Sequence, residues 1–91
     1  MIINIFGSTG IIGSKTLDII SNYFPRIKIN LLCSNSNVTK LIKQINLHSP
    51  KYVYLNDSSK INFLKKKINK KINILDFNEL KSYLISSHSD L

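Results

Sequence analysis

The sequence predicts an α/β fold, a parallel sheet in which each strand is followed by a helix. Short apolar runs at Ile2–Phe6, Ile27–Leu32, Tyr52–Leu55 and Ile72–Leu75 are bounded by polar or glycine-bearing turns. Between them lie stretches whose apolar residues recur at helical spacing. The turn after the first run carries glycine at every third position, Gly7, Gly10 and Gly13. No linker or internal repeat interrupts the series, so the order is βαβαβαβα, wound through right-handed crossovers. Because Ile2–Phe6 is the most strongly apolar run, the expected strand order is 2-1-3-4 with that strand central.

The first strand is nearly all β-branched or aromatic, as in a parallel strand covered on both faces. The helix behind it runs from about Ile11 to Tyr23, with Ile12, Thr16, Leu17, Ile20 and Phe24 facing the sheet, and Pro25 closes it. After the second strand, Asn37 is a good N-cap for a helix with the stripe Val38, Leu41, Ile42 and Ile45. His48 lies in the exit loop with no carboxylate or second histidine at ligand spacing, and reads as a surface residue. Tyr52 and Tyr54 sit in the third strand, where half-burial explains them as well as base stacking does. Asp57 or Ser58 caps a third helix with Ile61, Leu64 and Ile68 inward. Lys65, Lys66, Lys67, Lys70 and Lys71 form its solvated face and exit turn. Asp76-Phe77-Asn78-Glu79 has capping-box spacing before a fourth helix carrying Phe77, Leu80, Tyr83 and Leu84. The tail Ser86 to Leu91 is polar and expected to fray.

A 91-residue chain makes one small domain with a modest core, since it buries under about 70% of its unfolded surface. The formal charge of +8 invites a polyanion reading. Against this, the composition is skewed throughout towards Ile, Asn and Lys and contains no alanine, as a genome-wide base-composition bias would produce. The charge still favours a phosphate-bearing ligand. Cys33 is the only cysteine, which excludes an intrachain disulfide and a cysteine-based metal site, and it reads as a small buried hydrophobe. The five carboxylates are scattered along the chain, so neither a metal site nor a catalytic residue is assigned. No run approaches the roughly 20 apolar residues of a membrane span. There is no signal pattern either, so the expectation is a soluble cytoplasmic chain without a membrane or nucleic-acid partner.

The glycine turn carries the chemistry. In a nucleotide-binding βα unit the first glycine allows a tight turn, the second lets backbone approach a pyrophosphate, and the third lets helix and strand pack closely. The phosphates sit where free helix N–H groups and the positive end of the helix dipole converge. Gly7, Ser8, Thr9, Gly10, Ile11, Ile12 and Gly13 are therefore candidate cofactor-binding residues, contacting the pyrophosphate through backbone with Thr9 to Ile12 nearest. An NAD site places an acid at the end of the second strand, roughly 20 residues beyond the glycines, to hold the ribose 2′-hydroxyl. Here that position reads Cys33-Ser34-Asn35-Ser36-Asn37, without an acid to repel a 2′-phosphate. NADP is thus permitted, with Asn35, Ser36 and Asn37 as candidate contacts; the same segment is also an ordinary helix-capping loop. The fold class is a partial Rossmann-like, doubly wound parallel sheet, a βαβαβαβα half-domain.

Gly7-Ser8-Thr9-Gly10-Ile11-Ile12-Gly13-Ser14-Lys15-Thr16-Leu17-Asp18 resembles the opening of the 1-deoxy-D-xylulose 5-phosphate reductoisomerases, G-S-T-G-S-I-G-x-x-T-L-D. Ser34-Asn35-Ser36-Asn37-Val38-Thr39 is similar to that family's A-G-x-N-V-T, and Ser49-Pro50-Lys51-Tyr52-Val53 to its x-P-x-x-V. The resemblance implies NADPH as cofactor and a sugar phosphate, 1-deoxy-D-xylulose 5-phosphate, converted to the isoprenoid precursor 2-C-methyl-D-erythritol 4-phosphate. It also implies, for the full-length enzyme only, a divalent metal (Mg or Mn) and a homodimer. Ile11 departs from the family's serine and loses one side-chain hydrogen bond. Asn35 replaces a glycine, and Ser36 stands where lysine, arginine or serine is usual. A 2′-phosphate would then lack a direct cation unless Lys40, one turn into the helix, reaches it. Measured against the family pattern, the next strand, the N-K-E and D-S-E segments, the substrate phosphate site and the lid lie beyond Leu91. Residues 1–91 are thus expected to be an N-terminal NADPH-binding domain fragment, cut before the second half of the sheet and inactive alone. The alternative is a small basic nucleotide- or nucleic-acid-binding module without catalysis, favoured by the lysines and by Tyr52 and Tyr54.

Overall fold

A computed structural model describes residues 1–86, so the tail's expected fraying at 87–91 lies outside the described residues. In chain order the elements are β1 (Ile2–Phe6), α1 (Ile11–Tyr23), β2 (Lys28–Ser34), α2 (Val38–His48) and β3 (Tyr52–Leu55). A 3-10 turn, Ser58–Lys60, then runs into α3 (Ile61–Lys67), followed by β4 (Asn73–Leu75) and α4 (Phe77–Ser86). Every strand pair is parallel.

The strand order is 1-2-3-4, not 2-1-3-4, and β1 lies at an edge of the sheet. Right-handed crossovers stepping repeatedly in one direction lay their helices on one face. The apolar character of Ile2–Phe6 reports the need for covered surface; the direction of each step is not written in a strand's composition. On the first face Ile3, Ile5, Ile29, Leu32, Val53 and Leu55 pack against Leu17 and Ile20 of α1, Leu41 and Ile45 of α2, and Leu64 of α3. On the opposite face Leu31, Cys33 and Leu75 meet Leu80 of α4, with Tyr52, Tyr54 and Tyr83 against them. The period-two alternation of a strand thus divides the core between two layers.

Asn4 is the polar residue inside β1, only 3% exposed. Its partner strand carries a bulge: Ile3 pairs with Ile29 but Asn4 pairs with Leu31, leaving Asn30 over. The Asn30 amide donates to the Tyr83 hydroxyl at 2.6 Å, and that hydroxyl donates to Asn4 Oδ1 at 2.8 Å. One tyrosine of α4 therefore satisfies the buried amide and clamps the helix to β1 and β2. The start of α4 is the expected capping box: Glu79 N–H donates to Asp76 Oδ1 at 2.8 Å, and Asp76 N–H to Glu79 Oε1 at 2.9 Å.

The sheet-facing stripe of α1 is Gly13, Leu17 and Ile20. Ile12 and Phe24, expected inside, are 80% and 52% exposed. An edge strand offers α1 sheet on one side only, so the flank carrying Ile12, Ile19 and Tyr23 stays in solvent. Phe77 and Leu84 of α4 are likewise exposed, because Leu80 and Tyr83 take the sheet. β2 continues past Leu32 to Ser34, and β4 starts at Asn73, one residue later than expected. Among the described residues no helix is long and apolar enough to cross a membrane.

Candidate functional site

The first glycine turn closes at the C-terminal end of β1. Gly7 has φ 64°, a left-handed conformation that side chains disfavour, and its carbonyl accepts the Gly10 N–H at 2.9 Å. A Cβ on Gly13 would lie 2.2 Å from Gly7 O and 2.9 Å from Ser8 Cα, so α1 packs directly on the backbone of the turn. Gly10 is the N-cap of α1, where a Cβ would meet Gly7 O at 3.3 Å. Among the described residues no side chain caps α1, and its first turn holds no acid, leaving the N–H groups of Ile11, Ile12 and Gly13 for an outside acceptor. They converge with the positive end of the helix dipole. A cleft of about 470 Å³ opens there, between the glycine turn and the unpaired edge of β1. A larger groove, about 570 Å³, lies at the other end of the sheet around Pro25, Lys28 and His48, and holds none of the predicted residues.

The turn is braced from beneath. Ser8 is fully buried; its N–H donates to Cys33 O at 2.9 Å, and its carbonyl accepts from Gln44 Nε2 at 2.7 Å and Ser14 Oγ at 3.2 Å. The Thr9 hydroxyl is hydrogen-bonded to that of Ser34 at 2.7 Å. The expected contacts run through the backbone of this loop, and the Ser8 and Thr9 side chains are turned towards the protein, so the exposed part of the turn is Gly10 to Ile12. Ser8 Oγ and Gln44 Oε1 are buried without partners among the described residues. Sequence reasoning passed over Gln44, because glutamine in an amphipathic helix reads as solvated. Its position was the available signal, three residues after Leu41 and beside Ile45, inside the buried stripe.

The Thr9–Ser34 bond joins this turn to the end of β2, so both predicted segments share one edge of the sheet. Asn37 Oδ1 accepts from Lys40 N–H at 3.2 Å and caps α2, which engages only the acceptor half of its amide. Asn35 is held by the exit of β3: its side-chain oxygen accepts from Asn56 Nδ2 at 2.9 Å, and its carbonyl from Asp57 N–H at 2.8 Å. The Lys60 ammonium donates to Ser36 O at 2.9 Å and lies 3.9 Å from the Asp57 carboxylate. Hydrogen bonding from the Ser59 hydroxyl, more than the nearby Lys60 charge, holds Asp57 below the usual carboxylate range. Burial pushes the Cys33 thiol up to about 12, as suits an inert core residue. His48, at the far end of the sheet, is lowered by burial against the opposing pull of Asp18. Among the described residues no three His, Cys, Asp or Glu side chains gather where a metal ion could be held.

Residues 3–88 match the family model of 1-deoxy-D-xylulose 5-phosphate reductoisomerase. The chain is 37% identical over 87 residues to the protein of that name from Thermoanaerobacter sp. (strain X514), covering 96% of this chain and 23% of the relative. With that from Pelagibacter ubique it shares 51% over 55 residues, 60% of this chain and 14% of the relative. Among solved structures it is similar to 1-deoxy-D-xylulose 5-phosphate reductoisomerase from Zymomonas mobilis in complex with NADPH. There the TM-score is 0.73 at 28% identity, over 80% of this chain and 20% of that one. The chain thus spans under a quarter of the length of each of these relatives.

Proposed function

The chain belongs to the 1-deoxy-D-xylulose 5-phosphate reductoisomerase family, and from that premise we propose that residues 1–91 are the N-terminal NADP(H)-binding part of such an enzyme. The observation that supports this most is the uncapped start of α1 behind the Gly7 turn, on the same sheet edge as an acid-free end of β2. In this reading the N–H groups of Ile11, Ile12 and Gly13 hold the pyrophosphate, and the Ser36 hydroxyl and Asn37 amide donate to the 2′-phosphate. Bound NADPH supplies the hydride; the residues of this chain bind and orient the adenosine half and move no proton themselves. Reduction and rearrangement of 1-deoxy-D-xylulose 5-phosphate to 2-C-methyl-D-erythritol 4-phosphate would need the nicotinamide half of the site. The Mg or Mn ligands and the homodimer would likewise come with the full-length enzyme, and a cytoplasmic location goes with this reading. NADPH and NADH titrated against residues 1–91 at matched salt should show tighter binding of NADPH, and Ser36→Asp should reverse the order. Equal affinities in the unmutated chain would contradict the proposal. With NADPH, metal and substrate all present, cofactor absorbance should not fall faster than background, and turnover would show that the chemistry resides in this part.

A further inference from the structure

We propose that Lys60 is the cation that reads the cofactor's 2′-phosphate, an inference that rests on the dinucleotide reading above. The loop Asn35–Asn37 carries no charge of its own, and Ser36 stands at its centre. A cation is nevertheless delivered to it from another element. Lys60, at the end of the 3-10 turn and 24 residues further along the chain, places its ammonium 2.9 Å from Ser36 O. The loop being served also holds the donor in place. Asp57 N–H bonds to Asn35 O, Asn56 bonds through its backbone to Ser34 O and through its amide to Asn35, and Asp57 Oδ1 accepts from Ser59 N–H and Oγ to shape the turn.

An ammonium has three N–H donors, of which Ser36 O takes one. The Lys60 side chain is 43% exposed, so an anion arriving from solvent can reach the others. A phosphate that accepted from the Ser36 hydroxyl or the Asn37 amide would sit about one residue's span from that carbonyl. This is roughly the 4–6 Å range over which an opposite charge stabilises an ion. The 2′-hydroxyl of NADH carries no charge and gains nothing from the same contact. The Asp57 carboxylate, 3.9 Å from the ammonium, is the opposing charge; without Lys60 it would face the phosphate uncompensated. This arrangement supplies from the β3–α3 connection the charge that the β2 loop lacks.

The test compares NADPH and NADH affinities of the unmutated chain, Lys60→Met, Lys60→Arg and Asp57→Asn at matched ionic strength. Lys60→Met should weaken NADPH roughly tenfold, about 1.4 kcal/mol, and leave NADH unchanged. Lys60→Arg should keep the preference. Asp57→Asn retains a capping side chain and removes the competing charge, so it should strengthen NADPH by roughly two- to fivefold, the scale of an exposed charge contact, without moving NADH. Equal losses for both cofactors in Lys60→Met, or none for either, would overturn the assignment while leaving the dinucleotide reading intact. Failure of the unmutated chain to distinguish the cofactors would overturn both.

Discussion

Gln44 and the three glycines govern one small piece of backbone, the turn from Gly7 to Gly10, from opposite sides. Gln44 Nε2 supplies the shorter of the two bonds to Ser8 O, so Gln44→Leu leaves a buried carbonyl with Ser14 Oγ alone at 3.2 Å. A buried acceptor left short of a partner costs about 1–3 kcal/mol. The expected result is a lower urea midpoint and faster amide exchange at Gly10, with the rest of α2 still protected. The glycines should not behave alike. Gly13→Ala sets a methyl 2.2 Å from backbone that cannot step aside, whereas Gly10→Ala meets Gly7 O at 3.3 Å. Overpacking costs about 1–3 kcal/mol or more, so Gly13→Ala should lower the thermal midpoint well beyond Gly10→Ala. Equal midpoints would show that α1 can lift away from the turn.

At the scale of elements, α4 depends on two local devices, the Asp76–Glu79 box and the Tyr83 hydroxyl. Tyr83→Phe keeps the ring against Tyr52, centroids 5.0 Å apart, and removes the group that links Asn30 to Asn4. The loss should be about 1–3 kcal/mol in urea unfolding, because Asn4 stays buried without its donor. Asn4→Val in the Tyr83→Phe background should recover part of it, since no polar group is then stranded. The helices were legible in the sequence because their signals are local: α1 spans Ile11–Tyr23 as its periodicity predicts, and the box sets the start of α4. The face of α1, the strand order, the Asn30 bulge and the reach of Lys60 were not legible. Each depends on which distant element lies alongside, and periodicity within a segment carries no record of its neighbour. Of the site, the Gly7 and Gly13 roles were legible from spacing. The bracing of the Ser8 carbonyl and the Thr9 hydroxyl was not, because their partners, Gln44 and Ser34, lie more than 20 residues away.

In the whole molecule the uncapped start of α1 lies beside an exposed apolar surface. Among the described residues β1 has no neighbour on one side, Ile2 and Phe6 are about half exposed, and Ile12, Ile19 and Tyr23 line the adjoining flank of α1. An unpaired apolar edge invites pairing between chains. The chain should therefore show a concentration-dependent mass in sedimentation, and Phe6→Lys with Ile12→Lys should restore the monomer; a monomer at every concentration would mean that the charge of +8 suffices to keep chains apart. The central claim is that the glycine turn and the β2 loop together receive one dinucleotide. Amide chemical shifts of isotopically labelled residues 1–91, followed while NADPH is added, test it most directly. The account predicts saturable shifts at Gly7, Gly10 to Gly13 and Asn35 to Asn37, with one common midpoint, and smaller shifts at the same turn with NADH. Shifts confined to Lys65–Lys71, or spread evenly over the lysines, would contradict it.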